Sequence, residues 1–294
     1  MPEPTAKRHG TEPDAVAPDA GMPDLGTPDL AAALAGTRFG PVEWHAEIDS
    51  TNRVLLDAAR AGCAAGRVVV ADAQTAGRGR LDRTWTAPPG GSLLVSVLLR
   101  PSIPREHWHL LTTTAGLAAA EAVDRATRGA VRPRLKWPND LVLPAGKLAG
   151  LLAETTGDAL VLGMGLNVDW PAVPDELVGI ATAISLAGAP VEPLARAAIP
   201  TRHELLVAWL RRWHGWLEIV AAPGGIERVR AAAERASATL GAEVRVELAA
   251  ETFTGRAIAI TAAGHLAVET ASGVREVAAG DVVHVRGAIG AERG

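Results

Sequence analysis

The chain of 294 residues is long enough for one medium domain and a small one around a sizeable core. Its net charge of -4 comes without the basic stripe of a protein built to grip nucleic acid, and no apolar run approaches the ~20 residues that span a bilayer. The lone cysteine, Cys63, excludes a disulfide framework and a Cys-based zinc site; with only polar, Pro-rich sequence after Lys7 and Arg8, a reducing cytoplasm is the expected setting.

Residues 1–28 are Pro, Asp, Ala, Gly and Thr with almost no large apolar side chain, and are expected to form a disordered tail. A short helix over Leu30–Leu34 opens the folded part. Val42–Ile48 reads as a strand, and Asp49-Ser50-Thr51-Asn52 supplies N-cap chemistry for a helix running to about Ala61. Arg67–Ala71 reads as a buried strand, Gly77–Trp85 as a loop and Ser92–Leu99 as the strongest strand. An Ala-rich helix covers Trp108–Ala126, and Arg134–Leu143 contains a strand end. Lys147–Glu154 and Ala159–Asn167 form a strand pair meeting near Thr156-Gly157-Asp158. Thr201–Val220 is a helix whose apolar stripe includes Leu205, Trp209 and Trp213, a core-packing pattern. After about Ser237 the texture changes to short alternating strands: Glu243–Leu248, Thr252–Ile260, His265–Glu269, Val274–Ala278 and Val282–Val285. Five such strands separated by Gly or Asp turns suggest a small β-barrel.

Chemistry concentrates in a few segments. In Gln74-Thr75-Ala76-Gly77-Arg78-Gly79-Arg80-Leu81-Asp82-Arg83-Thr84-Trp85, glycines free the backbone to close over a ligand, and arginines suit bidentate capture of phosphate or carboxylate. Alone, the segment reads equally as a solvated basic loop; it is neither a P-loop nor a dinucleotide fingerprint. Lys136-Trp137-Pro138-Asn139-Asp140 gathers a cation, an aromatic face, a rigid turn, an amide and a carboxylate. Lys147 follows between Gly146 and Leu148-Ala149-Gly150, at a strand start where its charge can stabilise a phosphoryl transition state. Lysine is otherwise scarce, Lys7 being the third. Gly163-Met164-Gly165-Leu166-Asn167 allows close approach and adds an amide. Ser50-Thr51-Asn52 at a helix start offers a cradle for a small polar ring, or an ordinary capping box.

In order and spacing these segments resemble the biotin protein ligases (biotin–acetyl-CoA-carboxylase ligases), from about Val42 to the C-terminus. The most specific part is Lys-Trp-Pro-Asn-Asp followed by Gly-Lys-Leu-Ala-Gly. The resemblance implies an α+β fold: a catalytic domain over 29–236, related to class II aminoacyl-tRNA synthetases, then an SH3-like β-barrel over 237–294. It implies two steps, in which biotin and ATP give biotinyl-5′-AMP and pyrophosphate, and a carrier lysine then takes the biotinyl group. By motif, Ser50, Thr51, Asn52 and Gln74 contact the ureido end of biotin. Arg78, Gly79 and Arg80 close over the biotinyl and phosphate groups, and Lys147 bridges the carboxylate and the α-phosphate. Arg78, Trp85, Asn139, Asp140 and Asn167 fall on the ATP side, with Arg286 reaching it from the barrel. Lys147, Arg80 and Asp140 form the catalytic group, and Mg²⁺ enters on the ATP phosphates rather than on a direct protein site.

The implied partner is the biotin carboxyl carrier domain of an acyl-CoA or pyruvate carboxylase, with no nucleic acid and no membrane, and the implied state is a monomer or weak homodimer. Asp82 departs from the glycine usual in the family loop, so the closed loop is expected to differ locally. The forty or so residues before Val42, where the resemblance begins, are expected to be too few and too polar for the helix-turn-helix of regulatory members. A lipoate–protein ligase is the nearest alternative, but its Arg-rich, Gly-Gly-Gly loop is missing. A non-catalytic biotin-binding regulator is the alternative from another class.

Overall fold

The computed structural model describes residues 29–284 apart from 82, 188–194, 196–197, 249–250 and 279–280. The expected tail, Asp82 and Arg286 therefore lie outside the described residues.

Ser92–Leu99 (β3) contains only aliphatic side chains and two serines, so neither face favours water, and all eight residues are buried in a seven-stranded sheet. Across that sheet run β1 (Val42–Ile48), β2 (Val68–Gln74), β3, β7 (Ala159–Asn167), β6 (Gly146–Thr156), β5 (Asp140–Leu143) and β4 (Arg134–Lys136). β1 and β2 are parallel; the other neighbours are antiparallel. One face is covered by α2 (Thr51–Arg60), which sets Leu55, Leu56 and Ala59 against Val69, Leu98 and Val161. The other face carries α3 (His109–Ala126), α4 (Arg202–Ala221) and α5 (Gly225–Ala236); α1 (Leu30–Ala33) precedes the sheet.

The stripe on α4 goes where its spacing sends it. Trp209 and Trp213 are fully buried, and each indole N–H finds an acceptor on α3: Ala115 O at 3.0 Å and Thr114 Oγ1 at 3.1 Å. Thr201 and Glu204 close a reciprocal cap at the start of the helix. α5 is not among the elements expected from the sequence, and β2 runs past its expected end at Ala71 to Gln74, carrying that amide to the edge of the site.

The C-terminal strands β8 (Glu243–Glu247), β9 (Thr252–Ile260), β10 (Leu266–Thr270), β11 (Gly273–Val277) and β12 (Asp281–His284) form a separate antiparallel sheet in the order β11-β10-β9-β8-β12. Alternation puts Val244, Val246, Leu266, Val268 and Val277 into one small core. Trp137 joins them from the turn between β4 and β5, and is only 8 % exposed. Its backbone N–H donates to Thr239 Oγ1 at 3.0 Å, and its indole N–H to the Gly264 carbonyl at 2.9 Å. The aromatic face of the Lys136–Asp140 segment is thus packed into the C-terminal core. A large apolar ring with one donor is satisfied completely by the core of the small sheet. Among the described residues, no helix is long and apolar enough to cross a membrane.

Candidate active site

A cavity of about 150 Å³ opens between the start of α2, strands β3, β6 and β7, and the 77–85 loop. Its floor begins at Ser50, Thr51 and Asn52, all buried. The expected capping does not occur: Ser50 occupies the N-cap position in extended backbone, but its hydroxyl makes no cap bond. Gln74 of the neighbouring strand replaces it, its Oε1 accepting the Thr51 N–H at 2.8 Å. The three polar side chains are thereby released to the interior. Ser96 Oγ lies 2.7 Å from Thr51 Oγ1 and 2.6 Å from Asn52 Oδ1, and Asn52 Nδ2 donates to Glu154 Oε2 at 2.8 Å. Gly163 leaves the space for that amide, since a Cβ there would stand 2.3 Å from Asn52 Oδ1.

The 77–85 loop is stitched to itself as a hairpin. Gly79 N–H donates to Arg83 O at 2.6 Å, and Trp85 N–H to Gly77 O at 3.0 Å. A Cβ on Gly77 would sit 2.4 Å from the Trp85 carbonyl, so a side chain is excluded there. Leu81, at the tip, has φ +55° and is 62 % exposed. From this hairpin Arg78 pairs with Glu154 at 2.9 Å, and Arg80 donates to Asn139 Oδ1 at 3.2 Å. Burial pushes Arg80 below the usual arginine range, and Arg83 adds to that, against the opposing pull of Asp140.

Trp85 lies flat on the sheet over two glycines. A Cβ at Gly165 would be 2.4 Å from its ring, and one at Gly150 would be 2.9 Å away. Its indole nitrogen is buried without a hydrogen-bond acceptor among the described residues. Lys147 stands 5.4 Å from the centre of that ring, with its Nζ 2.7 Å from Asp140 Oδ1. Asn139 fixes the β5–β6 side of the wall by donating to Leu151 O at 2.6 Å.

Eleven of the residues singled out in the sequence therefore line one cavity, drawn from α2, β2, the hairpin loop, the β4–β5 turn, β5 and β6. Asn167 is placed elsewhere. It is 1 % exposed, donates to Thr182 O at 2.9 Å, and accepts from Ser92 Oγ at 3.3 Å, fastening β7 to the segment whose backbone pairs with Lys147. Lys136 lines an adjoining cleft of about 300 Å³ between the two sheets, where burial lowers its pKa. Sequence reasoning missed Glu154 and Ser96. Each sits in a strand that reads simply as core; only the alternation of β3, which turns Ser96 to the α2 side, hints at a role.

The cavity thus has a neutral floor of hydroxyls and amides beside a wall of cations. Such a lining suits a ligand with a neutral polar ring at one end and an anion at the other. Asp140 is the one carboxylate among the described lining residues, and Lys147 already engages it. Among the described residues, no group of His, Cys, Asp and Glu is arranged to hold a metal ion.

Residues 44–169 match the Biotin/lipoate A/B protein ligase family, and residues 239–285 match the Biotin protein ligase C terminal domain. The biotin--[acetyl-CoA-carboxylase] ligase of Mycobacterium tuberculosis is 36 % identical over 258 residues, covering 86 % of this chain and 92 % of its own length. The chain belongs to the biotin protein ligase family. The bifunctional ligase/repressor BirA of Bacillus subtilis is 30 % identical over 81 % of this chain and 72 % of its own length. In three dimensions, the biotin protein ligase of Aquifex aeolicus in complex with biotin and ATP superposes with a TM-score of 0.70. It is 30 % identical and covers 83 % of this chain and 98 % of that one. The fold is the α+β fold of the biotin protein ligases, a large catalytic sheet followed by a small SH3-like domain.

Proposed function

We propose that this biotin protein ligase uses the cavity for both steps of ATP-dependent biotin ligation. The observation that carries the reading is the junction at Lys147, where a neutral polar floor meets a cationic wall. The ureido ring of biotin lies on Ser50, Thr51, Asn52 and Gln74, and its carboxylate points to Lys147. A carboxylate oxygen attacks the α-phosphorus of ATP, the bond to the β-phosphate oxygen breaks, and pyrophosphate leaves with the electron pair. Lys147 and Arg80 are set to stabilise the charge that collects on the phosphoryl oxygens, and Asp140 holds Lys147 in position. Trp85, Asn139 and Arg78 contribute to the nucleotide side. Asn167 acts there by fixing the backbone behind Lys147, and Arg286 completes that side from the C-terminal domain.

In the second step the neutral amine of a carrier lysine attacks the acyl carbon, and AMP departs. The acceptor is a biotin carboxyl carrier domain, in the cytoplasm, met by the ligase as a monomer or weak homodimer. Residues 29–236 form the catalytic unit and residues 237–294 the SH3-like one. With Asp140 committed to Lys147, Mg²⁺ enters as the counter-ion of the ATP phosphates.

Mass spectrometry of a carrier domain after incubation with the protein, ATP, Mg²⁺ and biotin tests the function. A gain of one biotinyl group is expected. No gain, together with pyrophosphate exchange supported by lipoate and not by biotin, would transfer the chain to the lipoyl branch of the chemistry.

A further inference from the structure

Glu154 belongs to none of the motifs and does not line the cavity, yet it touches two side chains that do. It lies on β6 with its side chain 19 % exposed. One oxygen accepts from Asn52 Nδ2 at 2.8 Å, and the other pairs with Arg78 Nη2 at 2.9 Å. We infer that Glu154 is a positioning residue for the ligation reaction: it fixes the hydrogen-bond polarity of the cavity floor and tethers the 77–85 loop to the sheet. The inference rests on reading that floor as the biotin site.

The polarity follows from counting hydrogens. An ionised carboxylate only accepts, so the Asn52 amide must turn its NH₂ to Glu154 and its oxygen to Ser96. Ser96 has one hydrogen, and Asn52 Oδ1 takes it, because a carbonyl oxygen cannot donate. The 2.7 Å contact between Ser96 and Thr51 is then carried by the Thr51 hydrogen. Thr51 Oγ1 also lies 3.1 Å from Gln74 Oε1, but that oxygen already accepts the Thr51 backbone N–H at 2.8 Å, and the shorter 2.7 Å contact to Ser96, whose own hydrogen is committed, takes the hydroxyl hydrogen. Hydrogens therefore run in one direction, from Thr51 through Ser96 and Asn52 to Glu154. Thr51 is left presenting oxygen lone pairs to the cavity. A cyclic urea brings N–H donors, and it meets acceptors only while the carboxylate holds the relay in this sense. The same carboxylate holds the first arginine of the loop against the strand below it.

Glu154→Gln is the diagnostic change because it keeps the shape and replaces one acceptor by a donor. Two donors, Asn52 Nδ2 and Arg78, then compete for a single oxygen. The pyrophosphate-exchange KM for biotin should rise about ten- to a hundredfold, as for a lost bond to a charged group, while kcat at saturating biotin stays within about threefold. In the Asn52→Ala background the same change should raise KM little further, since both act on one relay. Should Glu154→Gln fail to fold, Ser96→Ala breaks the relay with a smaller deletion and is expected to raise KM likewise. A KM for biotin that rises in Asn52→Ala but not in Glu154→Gln, or effects that add fully in the double variant, would overturn the positioning role alone. An unchanged KM in Asn52→Ala would instead remove the biotin-site reading and the inference with it.

Discussion

Replacing Lys147 by alanine separates the chemistry of the first step from the binding that precedes it. Before the reaction its ammonium sits 2.7 Å from Asp140 Oδ1, with the two side chains 31 % and 18 % exposed. The pair is partly solvated, so its loss should lower folding stability by only ~1 kcal/mol or less. The floor proposed to receive the biotin ring does not involve the lysine, and affinity for biotin should fall less than about tenfold. Catalysis is different. When the carboxylate meets phosphorus, charge gathers where a fixed cation stands ready, and removing a preorganised contact of this kind costs ~3–4 kcal/mol of barrier, about a hundred- to a thousandfold in rate. The assay pairs pyrophosphate exchange with calorimetric titration of biotin and with transfer from pre-made biotinyl-AMP to a carrier. Exchange should collapse while titration and transfer survive. Adenylate formation near the parent rate would refute the role, and so would a biotin affinity that falls as far as the rate does.

Three other changes probe the frame around the site. Trp137→Ala empties the centre of the small core and removes the bond to Gly264 O; a loss of ~3–5 kcal/mol should appear as an earlier melting transition of the C-terminal sheet in scanning calorimetry. An unshifted single transition would show that the indole is not the link. Gly165→Ala places a methyl 2.4 Å from the Trp85 ring, where about 3.5–4 Å is normal, so Trp85 must leave its shelf and KM for ATP should rise in steady-state kinetics. Gly215→Ala in α4 meets no atom within 4 Å and should instead stabilise by ~0.5–1 kcal/mol in denaturant titrations. Finally, His109 packs on Gly264, and burial holds its pKa below the usual histidine value despite a bond to Glu106 O. The unfolded chain then takes the proton first, so the contribution is complete above pH ~6.5 and is lost as pH falls through the folded value. His109→Gln should flatten the dependence of Tm on pH in mildly acidic buffer; an unchanged slope would sink this assignment.

What could be read beforehand depended on how locally each feature is encoded. β3 and the α4 stripe are legible because one segment contains the whole pattern. Gly-Ile-Glu-Arg-Val-Arg-Ala-Ala-Ala-Glu-Arg-Ala is not legible as a helix of the core, since α5 shows few large apolar residues and buries mainly Val229 and alanines. The segments that line the cavity are legible as motifs, but the contacts among them are not. Asn52 and Glu154 meet across 102 positions of sequence, and nothing in either strand or helix announces the partner. The glycines of Gly163-Met164-Gly165 were expected to allow close approach to the backbone, and side chains make that approach, Asn52 at the first and Trp85 at the second. Ser50 looked like a cap because the spacing is right; only Gln74, arriving from a neighbouring strand, shows why the cap is not needed.

The seat of Trp137 also means that the boundary drawn along the chain is not the boundary drawn by packing. The five-residue segment that supplies Asn139 and Asp140 to the cavity supplies the centre of the C-terminal core two positions earlier. A chimaera that grafts this barrel onto the catalytic sheet of a relative would need the β4–β5 hairpin to travel with it. Otherwise the barrel would fold around an ill-matched plug, and the mismatch would be felt at Asn139. Biotin alone, by tightening the cavity wall, should by the same route protect the barrel from proteolysis without touching it.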